Sequence, residues 1–345
     1  MATRTAVIGA GKMGRLHSRV YSQMEGVELI GIVDQDQAKA EELAKEYGST
    51  ACGSLEPLLD QVDAVTVAVP TEQHAQVARP FLERGLAVLI EKPLAASLEE
   101  ARDLLALAEK NDCTLQVGYS ERFNPVVQAM KRLNFQPRFI EAVRISPFTF
   151  RSTDISVVLD MMIHDIDIVL SMARSPIKSV QAVGVNVLAE HEDVANARIT
   201  FESGCVANLT ASRLAMKTDR KIRVFSEEAY LSLDNLAKTG LMISLAANRD
   251  MVQQLRQMLD EKGSFDPRSL NWTELVQMEN LDIDEREPLM LEQEAFIKAV
   301  SQKSRPEVSA SDAIAAMELA ERICTEIAEH RWEGLNPADV GVAHS

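Results

Sequence analysis

The segment Gly9-Ala10-Gly11-Lys12-Met13-Gly14 follows the apolar run Thr5–Ile8 and leads into a helically spaced stretch, Met13–Met24. A strand that turns on glycines into a helix admits few folds. The first glycine permits the tight turn, the second lets backbone approach a ligand, and the third lets helix and strand touch. The N–H groups opening the helix then face an anion. The same rhythm continues downstream. Apolar runs at Leu29–Val33, Ala64–Val69, Ala87–Ile90 and Thr114–Val117 alternate with helical spacing at Gln37–Tyr47, Glu72–Arg84 and Leu98–Asn111. Short apolar runs without alternation are strands covered on both faces. The pattern predicts a doubly wound parallel sheet with right-handed crossovers.

Asp34 ends the second strand-like run, 20 residues beyond Gly14. An acid there accepts hydrogen bonds from the ribose of a bound dinucleotide. Its neighbours Gln35, Asp36 and Gln37 offer no cation for a 2′-phosphate, so NAD is expected over NADP. Gly9, Gly11, Lys12, Met13, Gly14 and Asp34 are the first candidate cofactor contacts.

After Tyr119 the texture changes. Helices are expected at Asn124–Leu133 and Asp165–Ala173. Alternating segments follow at Val180–Val187, Ala195–Phe201, Cys205–Ala211, Ile222–Phe225 and Ala229–Leu233. They read as a mostly antiparallel sheet with one wet face. Helices at Pro288–Val300 and Ser311–His330 are expected to close the chain, with an N-cap at Ser309–Ser311. The expected division is residues 1–120 for the dinucleotide and 121–345 for the substrate and subunit contacts. A chain of 345 residues is long enough for both cores.

Composition narrows the partners. The formal net charge of −16 disfavours nucleic acid and anionic membranes, both of which require a basic footprint. No apolar run approaches the roughly 20 residues that span a bilayer, and Met1–Thr5 lacks a signal-peptide core. Cys52, Cys113, Cys205 and Cys324 show no C-x-x-C spacing, which fits reduced thiols rather than disulfides or a zinc site. A cytoplasmic location is expected.

Two further motifs carry chemistry. Glu91-Lys92-Pro93 lies at the carboxyl end of a strand, where open α/β sheets bind ligands. A lysine there serves in proton transfer or polarises a carbonyl; alternatively Lys-Pro is a solvated turn. Asp160 and His164 are spaced i, i+4 and share a helix face, with Asp167 on nearly the same side. A histidine oriented by a carboxylate is a general base. The competing readings are a half-buried structural histidine or an acid cluster complementing the helix dipole. No further His or Cys stands at ligand spacing nearby, so no metal is expected.

Taken in order, these motifs resemble the Gfo/Idh/MocA family of nicotinamide-dependent sugar oxidoreductases, as do Val69-Pro70-Thr71 with His74 and the closing stretches Glu294–Ala299 and Asp312–Ile327. The resemblance implies an N-terminal Rossmann domain and a C-terminal α/β domain whose large, mostly antiparallel open sheet makes homodimer or homotetramer contacts. It implies a catalytic trio of Lys92, Asp160 and His164. It also implies cofactor contacts from Val69, Pro70, Thr71, His74, Glu91 and Lys92. Within the family, residues 118–125 and 162–167 look like the UDP-N-acetylglucosamine 3-dehydrogenase branch, whose keto product a partner aminotransferase consumes. The glycines that often precede the D-x-x-x-H motif are replaced here by Ser156-Val157-Val158-Leu159.

Charge gives independent support. Residues 119–151 carry a net +4, from Arg122, Lys131, Arg132, Arg138, Arg144 and Arg151 against Glu121 and Glu141. Residues 213–223 also carry +4, from Arg213, Lys217, Arg220, Lys221 and Arg223 against Asp219. A diphosphate-bearing substrate wants such groups. A solvated basic sheet face is the plain alternative. Arg122, Asn124, Asp167, Arg213 and Lys217 are the candidate substrate contacts. The expected reaction moves hydride between nicotinamide and a sugar's secondary alcohol. His164 is its base, Asp160 orients the imidazole or binds an adjacent hydroxyl, and Lys92 contacts the reacting oxygen. A free-polyol dehydrogenase and a non-catalytic sugar-sensing protein are the alternatives.

Overall fold

The computed structural model describes residues 2–133, 135–149, 155–245 and 276–330. The first sheet is wound as the glycine motif requires. Its elements are β1 (Thr3–Ile8), α1 (Lys12–Gln23), β2 (Val27–Val33), α2 (Gln37–Tyr47), β3 (Thr50–Cys52), β4 (Ala64–Val67), α3 (His74–Glu83), β5 (Ala87–Glu91), α4 (Leu98–Lys110) and β6 (Leu115–Gly118). The six strands are parallel, in the order β3-β2-β1-β4-β5-β6. β4 is buried at every residue, as its mostly apolar sequence requires, and its one polar side chain, Thr66, is hydrogen-bonded to Tyr21 at 2.8 Å. The order reverses beside β1, so ligands are expected at the carboxyl ends of β1 and β4.

The second half begins with α5 (Pro125–Arg132) and β7 (Phe139–Ile145). A π turn at Val158–Met162 runs into α6 (Ile163–Ala173). Then come β8 (Ile177–Val185), β9 (Val194–Phe201), β10 (Val206–Ser212), β11 (Asp219–Phe225), β12 (Ala229–Asp234), β13 (Thr239–Leu245) and β14 (Val276–Asn280). They form an eight-stranded sheet in the order β14-β13-β12-β11-β7-β10-β9-β8, antiparallel throughout except where β10 pairs with β7. Strands β3, β7, β13 and β14 were not anticipated. β7 nonetheless alternates strictly between buried and half-buried positions.

The closing helices are α7 (Pro288–Gln302) and α8 (Ala310–Glu329). Ser309 caps α8 with a reciprocal capping box to Asp312. Both helices return to the first sheet. Phe296 of α7 is buried against Ala64, Ala87 and Leu89. Val117 of β6 donates its N–H to Val308 at 3.0 Å. The four cysteines are free thiols, and no described helix is long and apolar enough to cross a membrane. Arg151 and residues 331–345 lie outside the described residues.

Candidate active site

The glycine loop has the clearances that its sequence predicts. A Cβ on Gly9, which adopts φ 106°, would stand 2.4 Å from the Ala68 carbonyl oxygen. One on Gly14 would stand 1.7 Å from the Gly9 carbonyl oxygen. Gly11 by contrast faces open space. Gly11 is also the N-cap of α1, and among the described residues no side chain caps the first N–H groups of that helix. Open backbone donors, a helix dipole and a bare approach fit a pyrophosphate. Asp34 accepts from the backbone N–H of Ala10 at 2.6 Å and of Asp36 at 2.8 Å. This ties the strand-end acid to the glycine loop and leaves it half-exposed.

From this loop a cleft of about 620 Å³ runs between the two sheets. Lys12, Met13, Val69, Pro70, Thr71, His74, Glu91 and Lys92 line one side; Asp160 and His164 line the other. His74 is buried, and both of its ring nitrogens face carbonyl oxygens, Pro93 at 2.8 Å and Val69 at 3.0 Å. It shapes the cleft wall by stapling two loops and offers no spare donor.

Lys92 Nζ donates to the main-chain oxygen of Asp160 at 3.2 Å and lies 3.8 Å from its carboxylate. Asp160 makes no hydrogen bond to His164, so the expectation that it orients the imidazole is corrected. The intervening turn is a π turn, closed by Ile163 N–H to the Val158 carbonyl. It departs from the regular helix on which the i, i+4 reading rested. The His164 ring instead packs edge-on to Tyr119, with centroids 6.3 Å apart, and its Nδ1 is buried without a hydrogen-bond partner among the described residues. Burial, followed by the charges of Lys92, Arg144 and Arg220, holds the imidazole well below its usual pKa. It stands neutral at pH 7 and has a lone pair to accept a proton.

The remaining substrate candidates are not brought into the cleft. Arg122 and Asp167 form a buried ion pair with each other, one bond of 2.7 Å joining Nε to Oδ2. Burial raises the Asp167 carboxyl above its usual range, against the lowering pull of Arg122. Asn124 is buried as the N-cap of α5, accepting from Val126 N–H at 3.2 Å and donating to the Asn235 carbonyl at 3.0 Å. Arg213 is buried against Asp193 at 2.8 Å. Lys217 is exposed on the connection between β10 and β11, away from the cleft lining.

Two cations from the basic runs do reach the cleft, and neither was singled out from the sequence. Arg144 bonds Asp165 at 2.8 and 2.9 Å and approaches Glu121 at 3.4 Å. Arg220 bonds the same Glu121 at 2.8 Å. The excess charge in the two runs was the available signal. Their neutralising carboxylates come from other parts of the chain, including Asp165 of α6, Glu307 and Glu227.

Comparison with known proteins agrees with this geometry. Residues 3–119 match the Gfo/Idh/MocA oxidoreductase family with an NAD-binding Rossmann fold, and residues 138–232 match the Gfo/Idh/MocA C-terminal domain. UDP-N-acetylglucosamine 3-dehydrogenase of Acidithiobacillus ferrooxidans is 38% identical over 237 residues, covering 68% of this chain and 75% of that protein. Its solved structure superposes with a TM-score of 0.83 at 31% identity, covering 95% of this chain and 98% of that one. Inositol 2-dehydrogenase of Rhizobium meliloti is 24% identical over 349 residues, spanning 96% and 98% of the two chains. An NADH complex of levoglucosan dehydrogenase shares the fold, with a TM-score of 0.79 at 17% identity. From the glycine cradle through the C-terminal sheet, the chain belongs to the Gfo/Idh/MocA family of oxidoreductases.

Proposed function

We propose that this protein is an NAD-dependent dehydrogenase that oxidises the 3-hydroxyl of UDP-N-acetylglucosamine to the 3-keto sugar. One observation carries the reading: the half-buried, neutral His164 shares a single cleft with Lys92 and with the open N-terminus of α1. The similarity to the Acidithiobacillus enzyme supports the choice of sugar nucleotide.

Gly9–Gly14 and the first N–H groups of α1 would hold the cofactor pyrophosphate, and Asp34 the adenosine ribose. Bound NAD supplies the hydride acceptor. His164, which lines the cleft, takes the hydroxyl proton as the carbinol C–H bond breaks and the C=O bond forms. Lys92 donates a hydrogen bond to the reacting oxygen and stabilises its developing negative charge. Asp160 holds Lys92 in place. Arg220, half-exposed at the far wall, is a guanidinium available to a substrate diphosphate. The keto product belongs to the class that an aminotransferase consumes. The open face of the large sheet exposes Phe225 and Met278 and is the surface we assign to a homodimer or homotetramer.

A second reading has its own support. Arg144 and Arg220 are matched by Asp165 and Glu121, so the far wall carries little net charge and suits an uncharged polyol such as an inositol. Mixing the protein and NAD with UDP-N-acetylglucosamine or myo-inositol, and following NADH absorbance, separates the two. Turnover of the sugar nucleotide alone supports the first reading. Turnover of the polyol alone replaces it, and turnover of neither favours a sensor. Lys92→Ala should cut turnover about 100-fold while NADH still binds.

A further inference from the structure

Beneath Lys92 a buried polar chain links three elements. His17 of α1 and Gln293 of α7 are both buried. The Gln293 amide donates to the His17 carbonyl at 3.3 Å and to His17 Nδ1 at 2.8 Å. The first bond fixes which end of the amide faces the ring, so Nδ1 accepts and Nε2 carries the proton. That proton points at Glu91 Oε1, 2.7 Å from Nε2. Glu91 Oε2 accepts the backbone N–H of Lys92 at 3.3 Å. Gly118 makes room for the arrangement, because a Cβ there would stand 3.2 Å from the same Oε2.

Glu292 of α7 closes the dry side of the chain. Its carboxylate comes within 4.8 Å of His17 and Glu91, and neither of its oxygens has a hydrogen-bond partner among the described residues. A histidine and two carboxylates this close are also the donor set of a metal ion. The hydrogen-bond directions argue against one, since an N–H rather than a lone pair faces the acids. Burial, then the charge of Glu91, pushes the Glu292 carboxyl well above its usual range, which leaves it a neutral wall.

We propose that His17, braced by Gln293, is a positioning residue that fixes the Glu91 carboxylate and through it the turn that carries Lys92. The proposal rests on the assignment of Lys92 to the reaction. Without the His17 donor the Glu91 side chain is free to turn away. The Lys92 backbone then loses an anchor, and Nζ loses its aim at the reacting oxygen.

His17→Phe keeps a ring but removes the donor, and His17→Gln restores an N–H. Expected for H17F is a fall in kcat of about tenfold, the cost of one hydrogen bond to a charged group, with sugar KM within about threefold. H17Q should recover most of the loss. In a Lys92→Ala background H17F should lower kcat no further. A second arm needs no sugar: NADH dissociation constants of H17F, Glu91→Gln and the double variant should be non-additive. The proposal is overturned if H17F lowers Tm with kcat unchanged, or if its kcat loss persists undiminished in the K92A background. Zinc-dependent gain of Tm with loss of kcat on chelation also overturns it, in favour of a metal site. Coupled NADH constants without turnover of any sugar would refute the proposed reaction and leave the brace standing. Sugar turnover with additive constants would refute the brace alone.

Discussion

The ammonium of Lys92 reaches across the cleft to the main-chain oxygen of Asp160 at 3.2 Å, and the carboxylate of the same residue stands 3.8 Å away. Both side chains are partly exposed to the cleft, so the pair is not a packing element. Asp160→Asn keeps the shape and the carbonyl contact but drops the charge. Its kcat should fall by about 10- to 100-fold, with the NADH dissociation constant changed less than about twofold. Equal losses in both would put Asp160 in the cofactor site instead. Steady-state kinetics with fluorescence titration of NADH decides this.

Gly11 and Gly14 should respond oppositely to alanine. At Gly14 the new Cβ collides with the Gly9 carbonyl at 1.7 Å, so loop and helix must move apart. Gly14→Ala should lower Tm as well as cofactor affinity. At Gly11 the Cβ meets no protein atom within 4 Å and intrudes only where backbone would approach a phosphate. Gly11→Ala should keep the wild-type Tm and weaken NADH binding about tenfold or more. A Tm loss in Gly11→Ala equal to that in Gly14→Ala would contradict the assignment.

The Arg122–Asp167 pair makes a prediction about stability rather than catalysis. Both side chains are nearly sealed from solvent. Removing one partner leaves a buried charge uncompensated, which costs about 3–5 kcal/mol. Arg122→Ala should lose that amount in urea unfolding, while the protein that remains folded keeps its sugar KM. A raised KM without loss of stability would return Arg122 to the substrate site.

The depressed pKa of His164 sets two pH dependences. In the folded protein the imidazole stays neutral well below pH 6.5, so turnover should not fall as pH drops from about 7.5 to 6.5 on account of this base. The unfolded chain binds a proton at His164 below about pH 6.5 and the folded chain does not. The resulting stability is fully present above that pH and is lost on acidification. The Tm advantage of wild type over His164→Asn should therefore shrink between pH 7.5 and 5.5. A gap that widened instead would mean that the folded imidazole is charged.

Local signals were legible in the sequence; long-range pairings were not. The glycine loop, the strand end at Asp34 and the alternation through β6 are written in adjacent residues, and the fold contains each of them. Ser309 announced α8 by its cap. Arg122, Asn124, Asp167 and Arg213 look like site residues because charge and proximity to motifs are local properties. Their partners lie elsewhere: Asp167 is 45 residues from Arg122, and Asp193 is 20 from Arg213. β7 alternates in burial but not in sequence, because Arg144 takes one of its buried positions and is matched there by the distant Asp165. The π turn at Val158–Met162 leaves no mark in the D-x-x-x-H spacing, yet it decides that Asp160 meets Lys92 rather than His164.

The return of α7 to the first sheet has a consequence for how the protein is made. During synthesis, residues 1–120 leave the ribosome long before Phe296 exists to cover Ala64, Ala87 and Leu89. Until then that apolar face and the inward side of α1, with His17, have no lid. The nascent dinucleotide fold must therefore wait, half-clothed, for nearly the whole remaining chain. A stalled or truncated product would expose this face to chaperones and proteases before the cleft could ever close around a substrate.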